Sequence, residues 1–273
     1  MQYLHRFLAI YLITSDGKFN EILYLCLTLR NIQQEQMTEF HTLTEMQHII
    51  AERGFLPFFD NEIPRFSISE YTPSELWFSD EQDGPWEWKG PAIIEGDFAY
   101  GKFFQSKAGF ITMDWFPDFV NYRRSRFSLS RQELIILDTI KAHHSLLSKE
   151  IKKLCGYVKP RMPRAGNPLE KMMTEETRKL VKPKKADKEG YETAITKLQM
   201  SAQVVTADFE YQYDKQGKHY GWGVARYCTP EDFFGSERIA IDRTPEDSYL
   251  RMFHHLRDVL PWAKEEWITH LLG

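Results

Sequence analysis

The sequence is short of cysteine, of long apolar runs and of net positive charge, and each shortage removes a class of protein. Three cysteines in 273 residues, Cys26, Cys155 and Cys228, stand far apart, odd in number and without a CxxC pair. That excludes a disulfide scaffold and the common zinc spacings, and it predicts a reducing, cytoplasmic setting. The apolar stretches 4–13 and 22–29 are split by Ser15-Asp16-Gly17-Lys18. Neither reaches the roughly 20 residues of a membrane helix, and His5-Arg6 with charged breaks after it suits a signal peptide poorly. No membrane partner and no export signal are therefore expected. A formal charge of −4 means that any affinity for nucleic acid must come from local asymmetry. The chain also lacks a nucleophile elbow, a phosphate-cradling glycine loop and a dinucleotide fingerprint, so no cofactor is expected. His143-His144 and His254-His255 are adjacent pairs, and neighbours on a helix point about 100° apart, which makes neither pair a metal chelate.

What the chain does have is aromatic residues, at 14%, within a hydrophobic share of 42%. That suffices for a substantial core without disulfides, and the length suggests two packed units. Residues 1–43 are expected to be an N-terminal extension, with the compact fold starting near Met37. Residues 44–53 have helical spacing of Met46, Ile49 and Ile50, with Thr44 as cap and Gly54 past the end. From 55 to 88 the prolines exclude long regular elements. Short strands are expected at 92–94, 98–104 and 108–113, so that 44–127 forms an aromatic-rich α/β subdomain with a small sheet.

After Arg131 the pattern changes. Residues 132–144 have helical spacing, and 148–155 form a second helix capped by Ser148 after a tight Leu146-Leu147 turn. Residues 191–202 form a third helix. Strands at 204–213 and 220–227 are joined by Asp214-Lys215-Gln216-Gly217-Lys218, in which Gly217 permits a hairpin turn. Three helices followed by a hairpin is the winged-helix order, so 128–228 is read as a winged-helix domain with an insertion at 157–190, partly helical near 169–181. Thr229-Pro230 and Thr244-Pro245 each start a helix, a last helix is expected at 263–272, and 229–273 is therefore a region of C-terminal helices. The fold class is α+β.

In a winged helix the third helix enters the major groove and the hairpin meets phosphate. The contact residues are then Lys197, Gln199 and Gln203 on that helix, with Lys215, Lys218 and His219 at the wing, because lysine neutralises phosphate and glutamine reads adenine edges. A solvated helix face is the alternative. Residues 141–190 carry 14 basic and 6 acidic side chains, a segregation that suits a phosphate-tracking arm or simply a soluble insertion. Arg123 and Arg124, beside Tyr122, form a second basic cluster. Carboxylates among aromatics, namely Glu62, Glu87, Asp97, Asp114 and Asp118, are the catalytic candidates, and Glu87 and Asp118 are preferred. Burial beside rings raises a carboxyl pKa toward the range of acid–base work.

The runs Ser148-Lys149-Glu150-Ile151-Lys152, Ile195-Thr196-Lys197-Leu198-Gln199-Met200, Asp208-Phe209-Glu210-Tyr211 and Tyr220-Gly221-Trp222-Gly223-Val224-Ala225-Arg226-Tyr227 resemble the AlkZ-related bacterial proteins. Upstream, Asp83-Gly84-Pro85-Trp86-Glu87-Trp88-Lys89-Gly90-Pro91, Tyr100-Gly101-Lys102-Phe103-Phe104 and Trp115-Phe116-Pro117-Asp118-Phe119 are similar to the same group. The resemblance runs from about Thr44 to the C-terminus. It implies a distant tie to winged-helix DNA glycosylases of the AlkZ and YcaQ type, which release alkylated bases and unhook crosslinks with a motif of Gln, an apolar residue, then Gln or Asp. Gln199-Met200-Ser201 lacks the last member of that motif, so those catalytic residues do not carry over. Two functions follow as expectations: DNA binding in base repair, with DNA as partner, or a non-catalytic winged-helix module that binds protein.

Overall fold

The computed structural model describes residues 39–79, 81–158, 189–216 and 219–273. Nearly all of the expected extension and of the basic insertion, with its helix near 169–181, lie outside the described residues.

The first described helix, α1 (Leu43–Arg53), starts at a capping box: Thr42 Oγ1 accepts from Glu45 N, and the Glu45 carboxylate accepts from Thr42 N. The cap is Thr42 rather than Thr44, because Thr42 holds the extended backbone that turns its hydroxyl toward the free amides. Gly54 stops the helix at φ 76°, and β1 (Phe55–Pro57) follows. After α2 (Ile68–Tyr71) and a 3-10 turn (Ser74–Trp77) comes α3 (Pro85–Gly96). This twelve-residue helix overturns two expectations, that prolines exclude long regular elements up to residue 88 and that residues 92–94 form a strand. Pro85 sits in the first turn, where its missing amide costs nothing. Pro91 lies inside the helix and costs about 3 kcal/mol. Burial of Trp88 and Ile93, 5% and 1% exposed, returns about as much or more, at roughly 1.5–3 kcal/mol for each large apolar side chain.

Strands β2 (Phe98–Phe104) and β3 (Lys107–Thr112) form a hairpin, and β1 adds to β3, giving an antiparallel sheet of order β1-β3-β2. The turn residues Gln105 and Ser106 both have positive φ, the twist a two-residue hairpin turn requires. Neither is glycine. The tip rests instead on other elements, with the Ser106 hydroxyl at Met200 Sδ and Gln105 Nε2 donating to His270 O. Helix α4 (Phe116–Arg126) follows.

The second half runs α5 (Arg131–His143), β4 (Ser145–Leu147), α6 (Ser148–Leu154), α7 (Tyr191–Met200), β5 (Val205–Tyr213) and β6 (His219–Cys228). Residues 145–147 are not a turn. They pair antiparallel with 226–228, so the second sheet has the order β4-β6-β5. Ser148 is not the cap either: Glu150 accepts from Leu147 N, and the Ser148 hydroxyl accepts from Tyr191 OH. Ile136, Ile140, Ile151, Ile195, Leu198 and Val204 close the core between these helices and the sheet.

The C-terminal helices α8 (Pro230–Phe234), α9 (Ser236–Ile239), α10 (Pro245–Val259) and α11 (Glu265–Leu272) complete the chain. Thr229 and Thr244 cap α8 and α10, as their Thr-Pro spacing predicts. Residues Phe40–Gly273 make one compact unit. Among the described residues no helix is long and apolar enough to cross a membrane.

Gly84, which precedes α3, packs against the 3-10 turn so closely that an added Cβ would lie 1.8 Å from Leu76 O. Backbone cannot yield there as a side-chain tip can. Gly84→Ala is expected to cost about 2 kcal/mol or more, read as a lower urea midpoint at unchanged m-value.

Candidate functional site

The residues read from the sequence do not converge on one surface. Arg123 is buried at 2% exposure. Its guanidinium donates to Met200 O at 2.7 Å, Leu272 O at 2.7 Å and Phe103 O at 3.4 Å, which holds α7, α11 and β2 on α4. Arg124 donates to Ala202 O and forms a two-pronged pair with Glu231. Neither cation is left for phosphate. Asp118, 1% exposed, accepts from Arg243 at 3.0 and 3.1 Å and from Arg251. Its carboxylate fastens α4 to the start and middle of α10.

Gln199 corrects an expectation outright. It is 2% exposed, with Oε1 accepting from Lys102 N at 3.1 Å and Nε2 donating to Ile195 O at 3.1 Å. The face of α7 that carries Gln199 is the face packed on β2, so the residue joins two elements and reads nothing. Lys197 is on the open face, yet its ammonium lies 2.6 Å from Glu189 and 3.6 Å from Glu133, and Glu189 chiefly holds its pKa up. Gln203 is half-buried beyond the end of α7, its backbone N–H donating to Leu198 O. Lys215 is exposed at the hairpin end, and Lys218 lies outside the described residues. Glu87 caps α3 by accepting from Gly84 N at 3.0 Å.

Of the other sequence candidates, Glu62 pairs with His270 and Asp97 with Arg238. His255 is stacked on Trp115 at 4.1 Å with Nε2 at Arg53 O, and burial lowers its pKa. Among the described residues no group of three or more His, Cys, Asp or Glu side chains could hold a metal ion.

The structure instead points to Lys89, which lies in the aromatic string 83–91. Trp86 and Lys89 are three apart on α3 and share a face. The Lys89 ammonium lies 4.9 Å from the centre of the Trp86 ring and 4.1 Å from that of Phe209 on β5. Lys89 is 6% exposed, and among the described residues its Nζ has no hydrogen-bond or ion-pair partner. Glu87, two residues away, leaves the helix on the other flank. α3 runs alongside β5 at Gly90, where a Cβ would stand in ordinary contact, 3.7 Å from Asp208 Oδ1. Tyr211 OH donates to Trp86 O at 3.1 Å, and Trp77, Phe58 and Phe59 pack around Trp86.

Burial moves the Lys89 pKa down to about 8, with Glu87 opposing the shift. It also drives Tyr211 up to about 12, aided by Glu87 and Asp208. A desolvated cation gains about 2 kcal/mol from a ring face, and removal from water costs several. The penalty wins, and the fold carries an amine where a methionine would pack at lower cost. Spacing alone could not find this, because the second ring comes from a strand 120 residues downstream. A lysine directly after Trp86-Glu87-Trp88 was the available signal.

A family model described as AlkZ related matches residues 40–273. The chain belongs to the AlkZ-related family. No curated protein and no solved structure matches. Family membership agrees with the resemblance carried by the aromatic strings, and two of those strings supply the site: Trp86 and Lys89 from one, Asp208, Phe209 and Tyr211 from another.

Two outcomes follow. The folded pKa of Lys89 lies below its unfolded value, so the unfolded chain binds more protons between about pH 8 and 10.5, and stability rises with pH across that window. Lys89→Met is expected to add up to about 3 kcal/mol at pH 7 and to remove that alkaline gain, both measured by urea denaturation. Asp118→Asn leaves two arginines around a neutral group and is expected to cost about 3–5 kcal/mol in the same assay.

Proposed function

We propose that the protein binds DNA through a winged-helix unit spanning residues 131–228, and that it acts in cytoplasmic base repair as a relative of the alkylated-base and crosslink glycosylases. One observation carries this reading, the order of elements. Helix, short strand, helix, helix and hairpin, with sheet order β4-β6-β5, is the arrangement in which a third helix meets the groove and a hairpin meets phosphate. In this reading α7 is the third helix and residues 214–218 are the wing.

The charge that meets phosphate is not on the face of α7, where Lys197 is paired and Gln199 is buried. Acidic side chains outnumber basic ones among the described residues. Basic residues concentrate in 159–188, the segment that enters α7 at Glu189, so the phosphate contact shifts to that segment and to Lys215. Glu87 is the carboxylate assigned to water activation at the glycosidic carbon, through the oxygen not engaged at Gly84 N, because both oxygens of Asp118 are committed to guanidinium groups.

A protein-binding module is the second reading, and a different observation favours it. Leu134 and Ile135 on α5 are 45% and 41% exposed, and Leu154 and Val158 are 54% each. Exposed apolar groups on an acidic body suit a protein partner.

A salt titration of binding to a labelled duplex separates the two. On the first reading, affinity falls steeply with salt. Lys184→Gln/Lys185→Gln and Lys215→Ala then lower the logarithmic salt slope by about one per charge removed, and Lys197→Ala leaves it nearly unchanged. Absence of salt-sensitive binding decides for the second reading, and no abasic product from alkylated duplex at excess protein removes the enzymatic part.

A further inference from the structure

Lys89 is the one buried cation described here that the fold leaves without an oxygen partner. Arg123 has three carbonyls, and Arg53 at 7% exposure has Arg65 O. The ammonium of Lys89 has ring faces only, from Trp86 and Phe209. A cation placed to stabilise structure finds a carboxylate or a carbonyl. Glu87 and Asp208 are both near enough to act on Tyr211, yet neither forms a pair with Lys89. Glu87 is turned to Gly84 N, and Asp208 accepts from Phe209 N at 2.7 Å.

An amine held among rings, with both carboxylates occupied elsewhere, is set up as a nucleophile. We propose that Lys89 is an imine-forming amine whose ligand is an aldehyde, and that the open-chain aldehyde of an abasic deoxyribose is the form it meets in DNA. The first clause rests on the geometry of α3 and β5; the second rests on the DNA-repair reading. The neutral amine adds to the aldehyde carbon to give a carbinolamine, and loss of one water leaves a C=N bond, with no oxidant or reductant required. The rings of Trp86, Trp77 and Phe59 offer the sugar and neighbouring bases a face to pack on. Burial favours the neutral, reactive form of the amine: at neutral pH on the order of a few hundredfold more of it is neutral than of an ordinary exposed lysine.

The test is reductive trapping with the full-length chain. Borohydride reduces a C=N bond to a stable amine, so the adduct is found by gel shift and located by peptide mass. One arm uses a duplex with a single abasic site, the other glycolaldehyde without DNA. Expected are adducts on Lys89 in both arms, at least about tenfold above the level on exposed Lys215, and their loss in Lys89→Arg, which keeps the cation but cannot form an imine. An adduct on Lys89 with glycolaldehyde alone upholds the amine and counts against the DNA-repair reading. Adducts spread over surface lysines, or none on Lys89 in either arm, overturn the proposal whether or not the protein binds duplex.

Discussion

The guanidinium of Arg123 is the point at which this structure is tied together. It stands in the last turn of α4 and donates to carbonyls at the end of β2, the end of α7 and the end of α11. Those oxygens lie at helix ends and a strand end, where carbonyls lack regular partners, and each would be costly to leave unmade in the interior. Arg124 and Asp118 extend the same helix outward to Glu231, Arg243 and Arg251. α4 thus acts as the post that joins β2, α7 and the C-terminal helices. The charged groups that suggested a ligand site in the sequence are used up in holding the fold.

That division of labour bears on the second sheet. Its unit from α5 to β6 has the order expected of a nucleic-acid module, yet α7 turns Gln199 inward onto β2 and pairs Lys197 outward with Glu189. A helix engaged on one side by the rest of the body and on the other by its own acids presents little free charge. On the DNA-binding proposal, attraction to a polyanion would come from its flanks, the hairpin end and the lysine-rich segment ahead of α7. The negative balance of the described residues would keep DNA off the remaining surface.

The α3–β5 contact obeys a different logic. Elsewhere each buried cation described is matched to oxygen; there Lys89 is matched to carbon. Its lowered pKa is the cost of placing α3 face to face with Phe209. Groups kept in such unfavourable settings concentrate where chemistry is done, and the surrounding rings offer a nonpolar floor for a planar or sugar ligand.

Much of the local structure was legible in the residues. Apolar spacing located α1, α5 and α7 to within a few residues, Thr-Pro pairs marked the starts of α8 and α10, and β-branched and aromatic runs gave both hairpins. α3 was missed because proline argues against helix locally, whereas burial of Trp88 and Ile93 acts only once a core exists. β4 was missed because three residues carry no periodicity, and only the partner strand β6, some 80 residues away, makes them a strand. The sequence by itself determined where most helices and both hairpins form, since those depend on neighbours a few positions apart. Tertiary structure alone decided which charges are spent and which amine is left over, because an ion pair or a ring contact depends on distance in space between residues that the chain keeps far apart.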